Sequence, residues 1–124
     1  MAKCILIADD NDIVRSIIRF FLENKGFEIC GEAKDGVDAI EKAEQLKPDL
    51  IVLDVAMPKM DGLQCMREIR NKHEAVPIIL HTAFAHFEKD PLTYSANAYE
   101  VKSGDLTELK ARIRELLNVF NASV

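Results

Sequence analysis

The chain has 124 residues, 48% of them apolar and 30% charged, with a formal net charge of −5. That length suits one domain, residues 1–124, around a single core. The acidic balance, with no Lys/Arg cluster, argues against direct nucleic acid binding. No apolar stretch approaches the roughly 20 residues of a membrane span, and Met1-Ala2-Lys3 leads straight into a strand pattern, so a cytoplasmic protein is expected. Cys4, Cys30 and Cys65 are widely spaced without a CxxC, so buried free thiols are expected in place of a disulfide framework or zinc site. His73, His81 and His86 are scattered and carry no catalytic expectation.

In chain order, strand and helix patterns alternate five times. The first strand, Cys4-Ile5-Leu6-Ile7-Ala8, ends on Asp9 and Asp10. A helix from about Asp12 to Lys25 follows, with Asp12 as its expected N-cap, Gly26 as its stop and Ile13, Ile17, Phe20 and Phe21 as its sheet-facing stripe. The second helix, Val37 to Leu46, places Ile40, Ala43 and Leu46 on one side before Pro48. The third strand, Leu50 to Leu53, ends on Asp54, and Leu63 to Lys72 forms a helix with Leu63, Met66 and Ile69 inward. The fourth strand, Ile78-Ile79-Leu80-His81, ends on Thr82. The fourth helix is expected to be short, from Pro91 to Ala96 with Asp90 as N-cap, and Ala83 to Lys89 to be loop-like. The fifth strand, Ala98-Tyr99-Glu100-Val101, ends on Lys102. A last helix follows a capping-box-like Asp105 and Glu108, with Leu106, Leu109, Ile113, Leu116, Leu117 and Phe120 recurring at helical spacing.

Near-continuous apolar strands indicate burial on both faces and hence a parallel sheet. Five βα units with right-handed crossovers give an α/β, doubly wound, flavodoxin-like five-stranded sheet of order 2-1-3-4-5 with five helices. Each apolar helix stripe is expected in the core. Strands one and three are then neighbours at the switch point, where open α/β sheets bind ligands, and Asp9, Asp10 and Asp54 share one crevice.

Three carboxylates so close must protonate, separate or share a cation. Mg²⁺ suits them, because it takes hard oxygen ligands, keeps several waters and binds through one or two carboxylates plus a phosphate. An Asp54 oxygen could then attack phosphorus, giving an aspartyl phosphate. Lys102 would supply a positive charge and Thr82 a hydroxyl donor to the transferred group.

These residues, with Asp54 inside a D-x-x-M-P-x-M-D-G signature, resemble the receiver domain of two-component response regulators over essentially the whole chain. The resemblance implies that Asp10, Asp54 and the Ala56 carbonyl contact Mg²⁺ directly, with Asp9 working through water. It implies a histidine kinase or phosphotransfer protein as phosphodonor and a downstream protein target reached through the helix-four, strand-five, helix-five face. It further implies that Tyr99 is a switch aromatic responding to Thr82, and that Ala56 and Phe84 gate water. A monomer or phosphorylation-dependent dimer is expected.

Three departures stand out. Ser103 replaces the family's proline after the lysine, so a trans Lys102–Ser103 bond is expected. The stretch from Thr82 to Lys102 is about two residues shorter than usual, and Ser95-Ala96-Asn97-Ala98 lacks the glycine often found before strand five. The function expected is a phosphorylation-activated signalling switch, not an enzyme with an external substrate. The alternatives are the receiver half of a longer DNA-binding regulator and an Mg²⁺-dependent phosphohydrolase, for whose substrate cap 124 residues leave no room.

Overall fold

A computed structural model describes residues 3–73, 75–85 and 89–119. Five parallel strands, β1 (Cys4–Ala8), β2 (Glu28–Ala33), β3 (Leu50–Leu53), β4 (Ile78–Thr82) and β5 (Ala98–Val101), form one sheet in the order β2-β1-β3-β4-β5. The helices are α1 (Asp12–Asn24), α2 (Gly36–Leu46), α3 (Gly62–His73) and α4 (Thr107–Val119). Among the described residues no helix is long and apolar enough to cross a membrane.

Alternation along the strands divides the core. Ile5, Ile7, Leu50, Val52 and Ile79 pack with Ile18 and Leu22 of α1 and Leu109, Ile113 and Leu117 of α4. Leu6, Ala8, Ile51, Leu53, Ile78 and Leu80 pack on the other face with Ala39 and Ala43 of α2 and Leu63, Met66 and Ile69 of α3. Both faces of the central strands are therefore covered, as their unbroken apolar runs require.

Helix α1 departs from expectation in two ways. Its N-cap is Asn11, whose Oδ1 accepts from the amides of Ile13 and Val14 at 3.0 Å each, while Asp12 is the first helical residue. Its inward stripe is Val14, Ile18, Phe21 and Leu22, whereas Ile13, Ile17 and Phe20 are 72%, 55% and 71% exposed. The two stripes lie about 100° apart on the helix, so periodicity alone leaves the choice open. The rotation seats Ile18 and Leu22 against β1 and β3, and each such burial contributes about 1.5–3 kcal/mol. Leu46 is also partly exposed, and α2 buries Gly36, Ala39 and Ala43.

The expected fourth α-helix is a 3-10 helix, Pro91–Ser95. Its turn closes through Thr93, whose amide and hydroxyl both donate to the Asp90 carbonyl, at 2.9 and 2.7 Å. Arg70 of α3 donates to the Ser95 carbonyl and to Asn97 Oδ1, pinning the segment before β5. The expected loop from Ala83 to Lys89 includes residues 86–88, which lie outside the described residues, as does Phe120; Phe84 is exposed. At the start of α4, Asp105 Oδ1 accepts from Thr107 N at 2.8 Å, but its own amide donates to Ser103 Oγ and not to Glu108. Among the described residues no peptide bond is cis, so Lys102–Ser103 is trans. Cys65 is buried, but Cys4 and Cys30 are only half-buried, and all three are free thiols.

Candidate functional site

Hydrogen-bond ladders continue past the strand ends and carry the chemistry-bearing residues into register. The Asp9 amide donates to Ala33 O at 3.0 Å, Asp54 N to Ala8 O at 2.9 Å, and Lys102 N to Thr82 O at 2.6 Å. Asp9, Asp54 and Lys102 thus rest on the sheet edge itself. Gly62 completes the wall, because a Cβ there would collide with the Asp54 carbonyl; its amide donates to Val55 O at 2.7 Å.

Carboxylate oxygens of Asp9, Asp10 and Asp54 lie within 4.8 Å of one another. Asp9 and Asp54 are buried, whereas Asp10 is exposed. The Lys102 ammonium sits 2.6 Å from Asp9 Oδ2 and 3.1 Å from Asp54 Oδ2. Burial raises the Asp54 pKa above the ordinary carboxylate value; Lys102 pulls it down, Asp9 pushes it up, and the Ala56 amide hydrogen bond lowers it. Burial alone would lower the Lys102 pKa, but the bond to Asp9 and the charges of both aspartates raise it. One ammonium against three carboxylates leaves a net negative cradle of hard oxygens. That donor set fits a small divalent cation such as Mg²⁺.

Thr82 is fully buried beside this group, and its Oγ1 accepts from Phe84 N at 3.4 Å. The Tyr99 hydroxyl donates to the Phe84 carbonyl. Thr82 and Tyr99 therefore meet on the backbone of one residue. Ala56, two residues beyond Asp54, is exposed at the rim. His81, for which the sequence suggested no role, is 4% exposed on the α1 side of β4, and its Nδ1 has no hydrogen-bond partner among the described residues. Its pKa is pushed down to about 4, first by burial and then by the Lys102 charge, against the pull of Asp9.

Two features escaped the sequence reading. Arg15 Nη1 donates to the Asp9 carbonyl at 2.7 Å, while Nε binds Glu32 at 2.8 Å and Nη2 binds Asp12 at 2.6 Å. The available signal was opposite charge on neighbouring elements, since Glu32 lies one residue before the end of β2, the strand beside β1. Beside the acidic cradle, Ile13, Ile17, Phe20, Phe21 and Leu106 line a hollow of about 950 Å³. An exposed apolar patch of this kind marks an interaction surface more often than an accident of packing.

A family model described as the response regulator receiver domain matches residues 5–114. The Bacillus subtilis alkaline phosphatase synthesis transcriptional regulatory protein PhoP is 37% identical over 94% of this chain and 49% of its own length. The Bacillus subtilis chemotaxis protein CheY is 33% identical over 95% of this chain and 100% of its own. Among solved structures, the Thermotoga maritima response regulator TrrA in complex with Mg²⁺-BeF is similar, with a TM-score of 0.89 and 37% identity over 92% of this chain and 98% of that one. TrrA has also been solved with the histidine kinase ThkA. The chain spans about half the length of several curated relatives it matches.

Proposed function

Because this chain belongs to the response regulator receiver domain family, we propose that it is a phosphorylation-controlled signalling switch in which Asp54 accepts a phosphoryl group. The observation that carries this reading is the Lys102 ammonium held between two buried carboxylates, Asp9 and Asp54, with Asp10 open to solvent beside them. Asp10, Asp54 and the Ala56 carbonyl would hold Mg²⁺, with Asp9 acting through water. The cation supplies charge neutralisation for the phosphoryl oxygens.

To attack, Asp54 must be ionised. Burial opposes that, and Lys102 offsets part of the opposition by stabilising the carboxylate. An Asp54 oxygen forms the new bond to phosphorus as the donor's bond to phosphorus breaks, the leaving group departing with that electron pair. Lys102 then turns from the carboxylates to a phosphoryl oxygen, and the Thr82 hydroxyl donates to another. In turning, Thr82 gives up its weak acceptance of Phe84 N, which disturbs the residue whose carbonyl Tyr99 holds. The change passes by this route to β5 and its flanking 3-10 helix and α4, the face we assign to the downstream target.

The phosphodonor is a histidine kinase or phosphotransfer protein, and the apolar face of α1 is where it docks. Ile13, Ile17 and Phe20 recur at helical spacing beside the acidic cradle, which suits packing against a partner helix. The domain turns over no external substrate. That the chain spans about half of relatives such as PhoP favours a second reading of its setting, as the receiver part of a longer DNA-binding regulator. Intact mass after incubation with acetyl phosphate and Mg²⁺ tests the central proposal. A gain of one phosphoryl group in the native chain, lost in Asp54→Asn, supports it, and an equal gain in both refutes it.

A further inference from the structure

Asp10 is the exposed member of the acidic group, and among the described residues its carboxylate makes no hydrogen bond or ion pair that would fix it. Its position is set through the backbone. The amide of Asn11, on one side, donates to Asp9 Oδ1 at 2.9 Å. The carbonyl of Asp9, on the other, accepts from Arg15 Nη1 at 2.7 Å. Arg15 is itself held at two further points, by Glu32 on β2 and Asp12 on α1, and its side chain is mostly buried. Glu32 is braced in turn by Arg19 at 2.6 Å. The planar guanidinium thus spans the end of β1, the end of β2 and the first turn of α1 with three donors at once, a geometry no lysine reproduces.

We propose that Arg15 is a positioning residue for the cation site, holding the Asp9–Asp10 peptide so that the unbraced Asp10 carboxylate points into the cradle. The inference rests on the cation-binding reading above and deepens it. It opposes the simple electrostatic expectation in sign. Removing a positive charge near a cation site should tighten cation binding by Coulomb's law, whereas loss of positioning should weaken it. Outer supports of metal ligands typically contribute about 10–100-fold in affinity.

The test is calorimetric titration of the apo chain with Mg²⁺, alongside urea unfolding of each variant. Arg15→Met should bind Mg²⁺ about tenfold more weakly than the native chain. Arg15→Lys keeps the charge and loses the three-way grip, so it should also bind several-fold more weakly; it decides the matter if Arg15→Met does not fold. Native-like or tighter Mg²⁺ binding by a folded Arg15 variant would overturn the inference. A native chain that takes no Mg²⁺ would instead overturn the reading on which the inference rests, so the two failures are distinguishable.

Discussion

Lys102 Nζ lies 3.1 Å from Asp54 Oδ2 and is the cation by which the site tolerates a buried carboxylate. The same ammonium is 2.6 Å from Asp9, so the two acids are coupled through it.

Lys102→Met should leave two buried carboxylates facing each other without their shared cation. The loss should be about 1–3 kcal/mol of stability, at or below the usual range for a broken buried pair because the site opens to water. Mg²⁺ should recover more stability in the variant than in the native chain, since a cation that binds only the folded state stabilises it by mass action. Urea midpoints with and without Mg²⁺ measure both. Equal stability of the two proteins without Mg²⁺ would contradict this role for Lys102.

His81 should make the fold acid-sensitive. Its folded pKa of about 4 lies below the ordinary 6.5, so its contribution is complete above pH 6.5 and is lost as pH falls toward 4. Between pH 7 and pH 5 that amounts to about 2 kcal/mol. Asp54, whose pKa is raised mainly by burial, works in the opposite direction, becoming less costly to bury as acid protonates it. His81→Leu should therefore remove the loss, which urea unfolding at the two pH values would reveal. An unchanged pH dependence in the variant would exclude His81 as its source.

The central strands and the acidic edge were legible because burial on both faces forces unbroken apolar runs, and each run gives way at the same edge to polar residues, Asp9, Asp54 and the His81–Thr82 pair. Facing was less legible. Ile13, Ile17 and Phe20 obey the same periodicity as Val14, Ile18 and Leu22, and only the sheet decides which stripe it covers. Of the expected capping pair of α4, Asp105 accepts from Thr107 N as its type suggests, but the Glu108 half is absent because Ser103 supplies the oxygen that the Asp105 amide needs. Arg15 was missed because only its i,i+3 pair with Asp12 is local, whereas Asp9 and Glu32 come to it through the packing of α1 against the ends of β1 and β2.

Phe20→Glu should separate donor docking from chemistry. Phe20 is 71% exposed, so the change should alter stability by no more than about 0.5 kcal/mol. Transfer from a phosphorylated donor protein should slow about 10–100-fold, the effect of losing an aromatic anchor at an interface, while phosphorylation by acetyl phosphate stays at the native rate. Equal slowing with both donors would show that the residue acts on the site and not on docking.

Thr82→Ala should accept phosphate and fail to transmit it. The variant lacks the hydroxyl that links the phosphoryl group to Phe84, and through it to Tyr99. Amide hydrogen exchange across β5 and α4, before and after phosphorylation, should change in the native chain and remain constant in the variant. The same change in both would place the coupling elsewhere.

The most direct test of the account is to locate the phosphoryl group. Borohydride reduces an aspartyl phosphate to homoserine, which marks the acceptor permanently for peptide mass mapping. After acetyl phosphate and Mg²⁺, the account predicts homoserine at position 54 and at no other aspartate. A mark at Asp9, at Asp10, or at no position in a chain that has gained phosphoryl mass would contradict it.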